Sequence, residues 1–131
     1  MTSQAPQMSP LNLGLRFALE MAALAGIYLG TRHLMASTSS DGVAAPAVGI
    51  LAVVGAVACW GLFNVEGDPS RSGQAPVAVA GWVRLCVELT VFSSGAVGLA
   101  TSSTTSSMVF GALCVVHLVA SHRRLRWLLA A

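Results

Sequence analysis

Two short segments, Arg16-Phe17-Ala18-Leu19-Glu20 and Arg84-Leu85-Cys86-Val87-Glu88, constrain this chain more than anything else in it. Each sets a full positive charge one helical turn before a full negative one, within a run otherwise made of Ala, Val, Leu and Gly. The chain has only seven basic and five acidic side chains, so four of these twelve charges lie in oily surroundings. Ionisable groups placed this way are costly unless they face one another or a wet interior. Any fold for this chain must therefore supply them with partners.

The surroundings are those of a membrane protein. With 131 residues, 55% of them hydrophobic, and a mean hydropathy of +0.74, the chain is too apolar for a soluble domain of its size. A bilayer core takes about 20 apolar residues per helix. That predicts an all-α, integral membrane four-helix bundle, with helices over about 10–35, 44–64, 76–100 and 107–122. Residues 1–9 read as a mobile cytoplasmic tail and 123–131 as a basic, interfacial C-terminal end. Ser9-Pro10 supplies an N-cap and a proline at the first helical position. The segments Thr31 to Val43, Glu66 to Ala75 and Thr101 to Ser107 read as connections. The first apolar run carries Arg16 and Glu20 and lacks an Ala-x-Ala exit, so it is expected to stay as an anchor.

Orientation follows from the arginines. With four spans, one side holds Arg71, Arg123, Arg124 and Arg126, and the other only Arg32. The positive-inside rule then puts both termini in the cytoplasm of the cell inner (plasma) membrane. Trp60, Trp82, Trp127, Arg123, Arg124 and Arg126 are the expected interfacial anchors on that side.

Helices one and three look like copies of one unit. Both begin with proline, then meet Arg, then Glu one turn deeper. An even number of spans separates them, so two hairpins related in this way form a parallel repeat. Each pair can close on itself, since i and i+4 share a helix face. The pairs can also cross, Arg16 to Glu88 and Arg84 to Glu20, which is the preferred arrangement because it ties the hairpins together. Gly26-Ile27-Tyr28-Leu29-Gly30 permits close helix approach, either within the chain or in a dimer.

Two roles fit Arg16, Glu20, Arg84, Glu88 and His117. One is a structural clasp that fixes helix partners and register. The other is a polar site at the cytoplasmic mouth, extended by Asn12 and Asn64, where His117 and two carboxylates relay protons or coordinate a cation. The clasp is preferred, because two arginines neutralise two glutamates and leave no net negative charge to draw a metal. No catalytic residue, metal site or cofactor is expected: the chain has no G-x-S-x-G, no H-E-x-x-H, no phosphate loop and no zinc spacing. Cys59, Cys86 and Cys114 are isolated and read as small apolar residues. The arginines form no stripe suited to nucleic acid.

Three motifs in order, Asn12-Leu13-Gly14-Leu15-Arg16-Phe17-Ala18-Leu19-Glu20, then Trp60-Gly61-Leu62-Phe63, then Arg84-Leu85-Cys86-Val87-Glu88 with Val91-Phe92, give the chain its likeness to known sequences. Over residues 11 to 125 it resembles the YrdB-like family of small bacterial four-helix membrane proteins. The resemblance implies a membrane protein of a family without known function. The second loop departs from that pattern in carrying Glu66, Asp68 and only Arg71 where more basic residues are expected. The expected role is a non-enzymatic structural or partner-binding membrane component. Its partners would be the lipid bilayer and a second copy or another membrane protein. The alternative is an oligomeric proton- or cation-coupled small-solute transporter or channel working through Glu20, Glu88 and His117.

Overall fold

The computed structural model describes residues 5–38, 42–71 and 74–131. It is all-α apart from one two-residue strand pair. In chain order the elements are α1 (Pro10–Thr38), α2 (Ala44–Leu62), β1 (Phe63–Asn64), β2 (Val77–Ala78), α3 (Gly81–Ala100), α4 (Thr104–Ala120) and α5 (His122–Ala130). Three helices, α1, α2 and α3, are long and apolar enough to cross a membrane, and α4 with α5 makes a fourth such segment if the bent pair counts as one. The first four residues of the expected N-terminal tail lie outside the described residues.

Helix α1 starts as its sequence suggests, with the Ser9 hydroxyl accepting from the Asn12 N–H at 3.2 Å. It ends later than expected, at Thr38 rather than 35. Ser37 and Thr38, which suggested a loop, turn their hydroxyls back onto the carbonyl of Leu34 at 2.7 and 3.2 Å. Bonded in this way, they satisfy themselves within the last helical turn. Helix α4 likewise begins at Thr104 and not 107, because the Ser103 hydroxyl caps the Ser106 N–H at 3.1 Å.

Helix α3 begins at Gly81 instead of near Pro76. The intervening residues pair with the end of α2: Phe63 and Val77, and Asn64 and Ala78, face each other in a parallel ladder. The Val79 N–H extends it to the Asn64 carbonyl. The ladder thereby ties the end of α2 to the residues that lead into α3.

At the centre, α1 and α3 run parallel and touch backbone to backbone. A Cβ built on Gly26 would collide with the Gly95 carbonyl, and one on Gly98 would collide with that of Gly26. A Cβ on Gly30 would stand 2.6 Å from the Gly98 Cα. The Gly26/Gly30 motif thus packs within the chain. Helix α2 lies beside α1, and α4 closes the other side against α3. Helix α5 turns 69° away from α4 and crosses the end of the bundle. There the Gly81 N–H donates to the Ala131 carbonyl at 3.2 Å, and Leu128 occupies the space that a Gly81 side chain would need.

The distribution of polarity is inverted relative to a water-soluble domain. Arg16, Arg84, Arg124, His117, Glu88 and Asp68 are among the largest fully buried side chains, whereas Leu51, Val54, Val97, Met108, Val115 and Val119 are exposed. Soluble monomers do not present apolar surface of that extent. The apolar interior is small, centred on Leu19 and on Phe92, whose ring meets those of Trp60 and Phe110 edge to face.

Candidate functional site

The buried charges gather at the end of the bundle where α1 and α3 begin and α2 and α4 finish. Glu88, on the face of α3 that meets α1, is the hub. Arg16 approaches from α1 with Nη1 donating to Oε1 at 2.8 Å and Nη2 to Oε2 at 3.2 Å. Arg124 approaches from α5 and donates to the same two oxygens at 3.2 and 3.1 Å. Each guanidinium has donors left over. Arg16 Nε donates to Glu20 Oε1 at 3.0 Å, and Arg124 Nε and Nη2 grip Asp68 Oδ1 and Oδ2 at 2.8 and 2.7 Å. The planar guanidinium fork makes such double engagement possible. Five side chains from α1, the loop after β1, α3 and α5 thus form one line: Glu20, Arg16, Glu88, Arg124, Asp68.

The crossed arrangement preferred from the sequence is half formed. Arg16 does reach Glu88, and it also closes on Glu20 in its own helix. Arg84 does not reach Glu20. Its Nη1 donates instead to the carbonyls of Trp60 and Phe63, at 2.8 and 3.0 Å, where α2 ends and its last carbonyls lack helical partners. The arginines of the two copies therefore do different work: Arg16 joins helices through Glu88, and Arg84 caps a neighbouring helix.

His117 joins a second small network beside the first. Its Nδ1 lies 2.8 Å from Asn12 Oδ1, and Asn12 Nδ2 donates to Ser121 Oγ at 2.8 Å. His117 Nε2 is buried without a hydrogen-bond partner, and its ring stands edge-on to Phe92. Asn64, named with them from the sequence, instead donates to the Gly61 carbonyl.

Two expected anchors belong to the interior. Arg124 is 1% exposed and Trp60 4%, so both side chains face protein and not the lipid that an anchor would meet. Arg124 is drawn inward because Glu88 and Asp68 satisfy it. Trp60 is drawn in by ring contacts with Phe92 and by three guanidiniums, those of Arg16, Arg71 and Arg84, at 5.7–5.9 Å from its centroid. Trp82, Arg123 and Arg126 are exposed, and Trp127 is half-buried. Sequence reasoning missed Asp68 altogether and misplaced Arg124. A signal for Arg124 existed: with Leu128 it forms an i, i+4 pair, and that face of α5 is the buried one.

Asp68 lies outside the candidate spans, in the loop turned by Gly67, whose φ is +77°. Burial pushes its pKa up, but the hydrogen bonds and charge of Arg124, with the Ser70 N–H, more than offset this and hold it at about 2 against an ordinary 3.8. A depressed carboxylate stabilises the fold fully above its unfolded pKa, and the effect disappears as pH falls through the folded value. Thermal stability is therefore expected to fall between about pH 4 and pH 2, by about 2 kcal/mol from this group. Unfolding midpoints of the wild type and of Asp68→Asn across that range test it: the variant should lose that increment at pH 7 and show a flatter profile below pH 4.

Among the described residues no cluster of three or more His, Cys, Asp or Glu side chains is arranged to hold a metal ion. Four grooves of about 340–590 Å³ run between the helices, and none is lined by Glu88 or His117. A smaller pocket of about 180 Å³ reaches Glu20 at the α1–α2 boundary.

Comparison with known proteins places this arrangement in a family. Residues 14–116 match the family model described as "Protein of unknown function (DUF2568)". The chain is 37% identical over 124 residues to "Uncharacterized protein YrdB" of Bacillus subtilis (strain 168), covering 94% of this chain and 97% of that protein. No solved structure matches. The chain belongs to this YrdB-like family of unknown function.

Proposed function

We propose that this protein is a multi-pass component of the bacterial inner (plasma) membrane, non-enzymatic, with four spans, both termini in the cytoplasm and the arginine–carboxylate line as its clasp. The observation that carries the reading is the inverted polarity: six ionisable side chains inside, and Leu and Val outside. In this reading α4 and α5 are a span followed by a turn along the interface, and α5 closes the cytoplasmic end. The clasp leaves a rigid frame whose grooved, apolar flanks suit a membrane protein partner or a second copy. It also explains why both oxygens of Glu88 are occupied by guanidiniums, a state that suits a strut and not a proton carrier.

The test is twofold. Expressed in a bacterium, the chain is expected in the membrane fraction after alkaline carbonate washing, with reporters at either end reading cytoplasmic. Purified and reconstituted, it is expected to show no proton flux above that of empty liposomes. A flux abolished by Glu20→Gln or Glu88→Gln, with stability unchanged, would replace the clasp by proton- or cation-coupled transport.

A further inference from the structure

The pocket beside Glu20 brings the buried charge to an opening between α1 and α2. It is lined by Glu20, Met21, Leu24, Val57, Trp60 and Arg71. Arg71 stacks its guanidinium over the Trp60 ring at 5.9 Å, and among the described residues no carboxylate pairs with it. Trp60 Nε1 is buried with no partner. Glu20 gives one oxygen to Arg16 and keeps 18% of its side chain exposed. The mouth thus offers a cation and an anion side by side, each with unused capacity.

Below this mouth lies a second, apolar groove of about 340 Å³ that adjoins it at Leu24 and is lined along α1 and α2 by Tyr28, Ile50 and Val54 and by no charged residue. From Glu20 to Tyr28 the helix descends about 12 Å at 1.5 Å per residue. A charged mouth leading into an apolar furrow that runs along the helices has the layout of a lipid: head at the end of the bundle, tail alongside.

We propose that this cleft binds one aminophospholipid. Its phosphodiester lies on Arg71, its ammonium faces Glu20, and an acyl chain follows Leu24, Val57 and Ile50 toward the bilayer centre. A phosphodiester and an ammonium on one head group match a mouth that carries one cation and one anion. A purely anionic head would leave Glu20 opposing it, and a quaternary ammonium has no N–H to donate to the carboxylate. Recognition combines a juxtamembrane arginine with a hydrogen-bonded ammonium. The inference rests on the chain being embedded in a bilayer.

The experiment is native mass spectrometry of the detergent-purified protein, titrated with phosphatidylethanolamine, phosphatidylglycerol and phosphatidylcholine of identical acyl chains. The amine lipid should be retained about fivefold better than either of the others, as one added hydrogen bond to Glu20 implies. Arg71→Gln should weaken retention of all three lipids to a similar degree, and Val54→Trp, which fills the furrow and touches no ion pair, should abolish it. Equal retention of the three lipids, a preference for phosphatidylglycerol, or indifference to both substitutions overturns the inference while leaving a membrane-extracted protein intact. Recovery of the chain without any detergent would instead overturn the membrane reading itself.

Discussion

Glu88→Gln is expected to be among the most damaging single substitutions in this protein, lowering the free energy of unfolding by about 3–5 kcal/mol. The carboxylate accepts four hydrogen bonds from two guanidiniums. An amide of the same shape keeps one acceptor oxygen and turns an N–H₂ group toward donors. As charged partners Arg16 would retain only Glu20, and Arg124 only Asp68, while both positive charges remain buried. Removing one partner of a buried pair is costly because the other charge stays behind. Thermal unfolding in mild detergent measures the loss. The reciprocal exchange, Arg16→Glu with Glu88→Arg, separates this network from an isolated ion pair. An isolated pair would be restored by the exchange. Here the new arginine at position 88 would face Arg124, and the new glutamate at position 16 would face Glu20, so the double variant is expected to be no more stable than Glu88→Gln. Recovery of wild-type stability in the exchange would mean that Arg124 does not share the carboxylate.

That a charge cluster would exist, and which residues would seed it, was legible from two Arg-x-x-x-Glu copies in apolar runs. The partner of each was less so. Arg16 has an acid both in its own helix and across the seam, and its fork is wide enough to take both. Arg84 sits at an equivalent place in α3, yet the nearest unsatisfied acceptors are the last carbonyls of α2. A repeat in sequence does not repeat its neighbours, and neighbours decide where a guanidinium donates. Asp68 and Arg124 were hidden for a different reason. Both lie outside the apolar runs, in segments whose polarity reads as exposure, and only the 69° turn after α4 brings α5 back over the bundle end. Ser121, at that turn, accepts from Asn12, a contact between residues 109 positions apart that no local pattern announces. Helix ends were misjudged where hydroxyl residues cap or close a helix instead of leaving it, at Ser37, Thr38 and Ser103.

Gly98→Ala is expected to be nearly as harmful as losing Glu88, although it adds a single methyl and removes no charge. At these glycines the α1–α3 seam has no side chain to yield: the new Cβ would meet the carbonyl of Gly26, and a Cβ on Gly26 would meet that of Gly95. Backbone cannot change rotamer, so two parallel helices would have to separate. Overpacking of this kind costs about 1–3 kcal/mol and more when backbone is the obstacle, and in a membrane it also removes the close contact that replaces a hydrophobic driving force. Gly98 lies along the same α1-facing side of α3 as Glu88. Parting the helices there would therefore stretch the Arg16 to Glu88 bonds as well, and the two effects should be coupled. The controls are Gly55→Ala and Gly111→Ala, where a Cβ meets nothing within 4 Å. Replacing a mid-helix glycine in open space removes a backbone entropy cost of about 0.5–1 kcal/mol, so these two are expected to be neutral or stabilising. Thermal unfolding of the four proteins in one detergent should then split by sign: Gly98→Ala well below wild type, the two controls at or above it. If Gly98→Ala unfolds with the controls, the helices are not in backbone contact, and the register that sets Arg16 opposite Glu88 must come from the charges themselves.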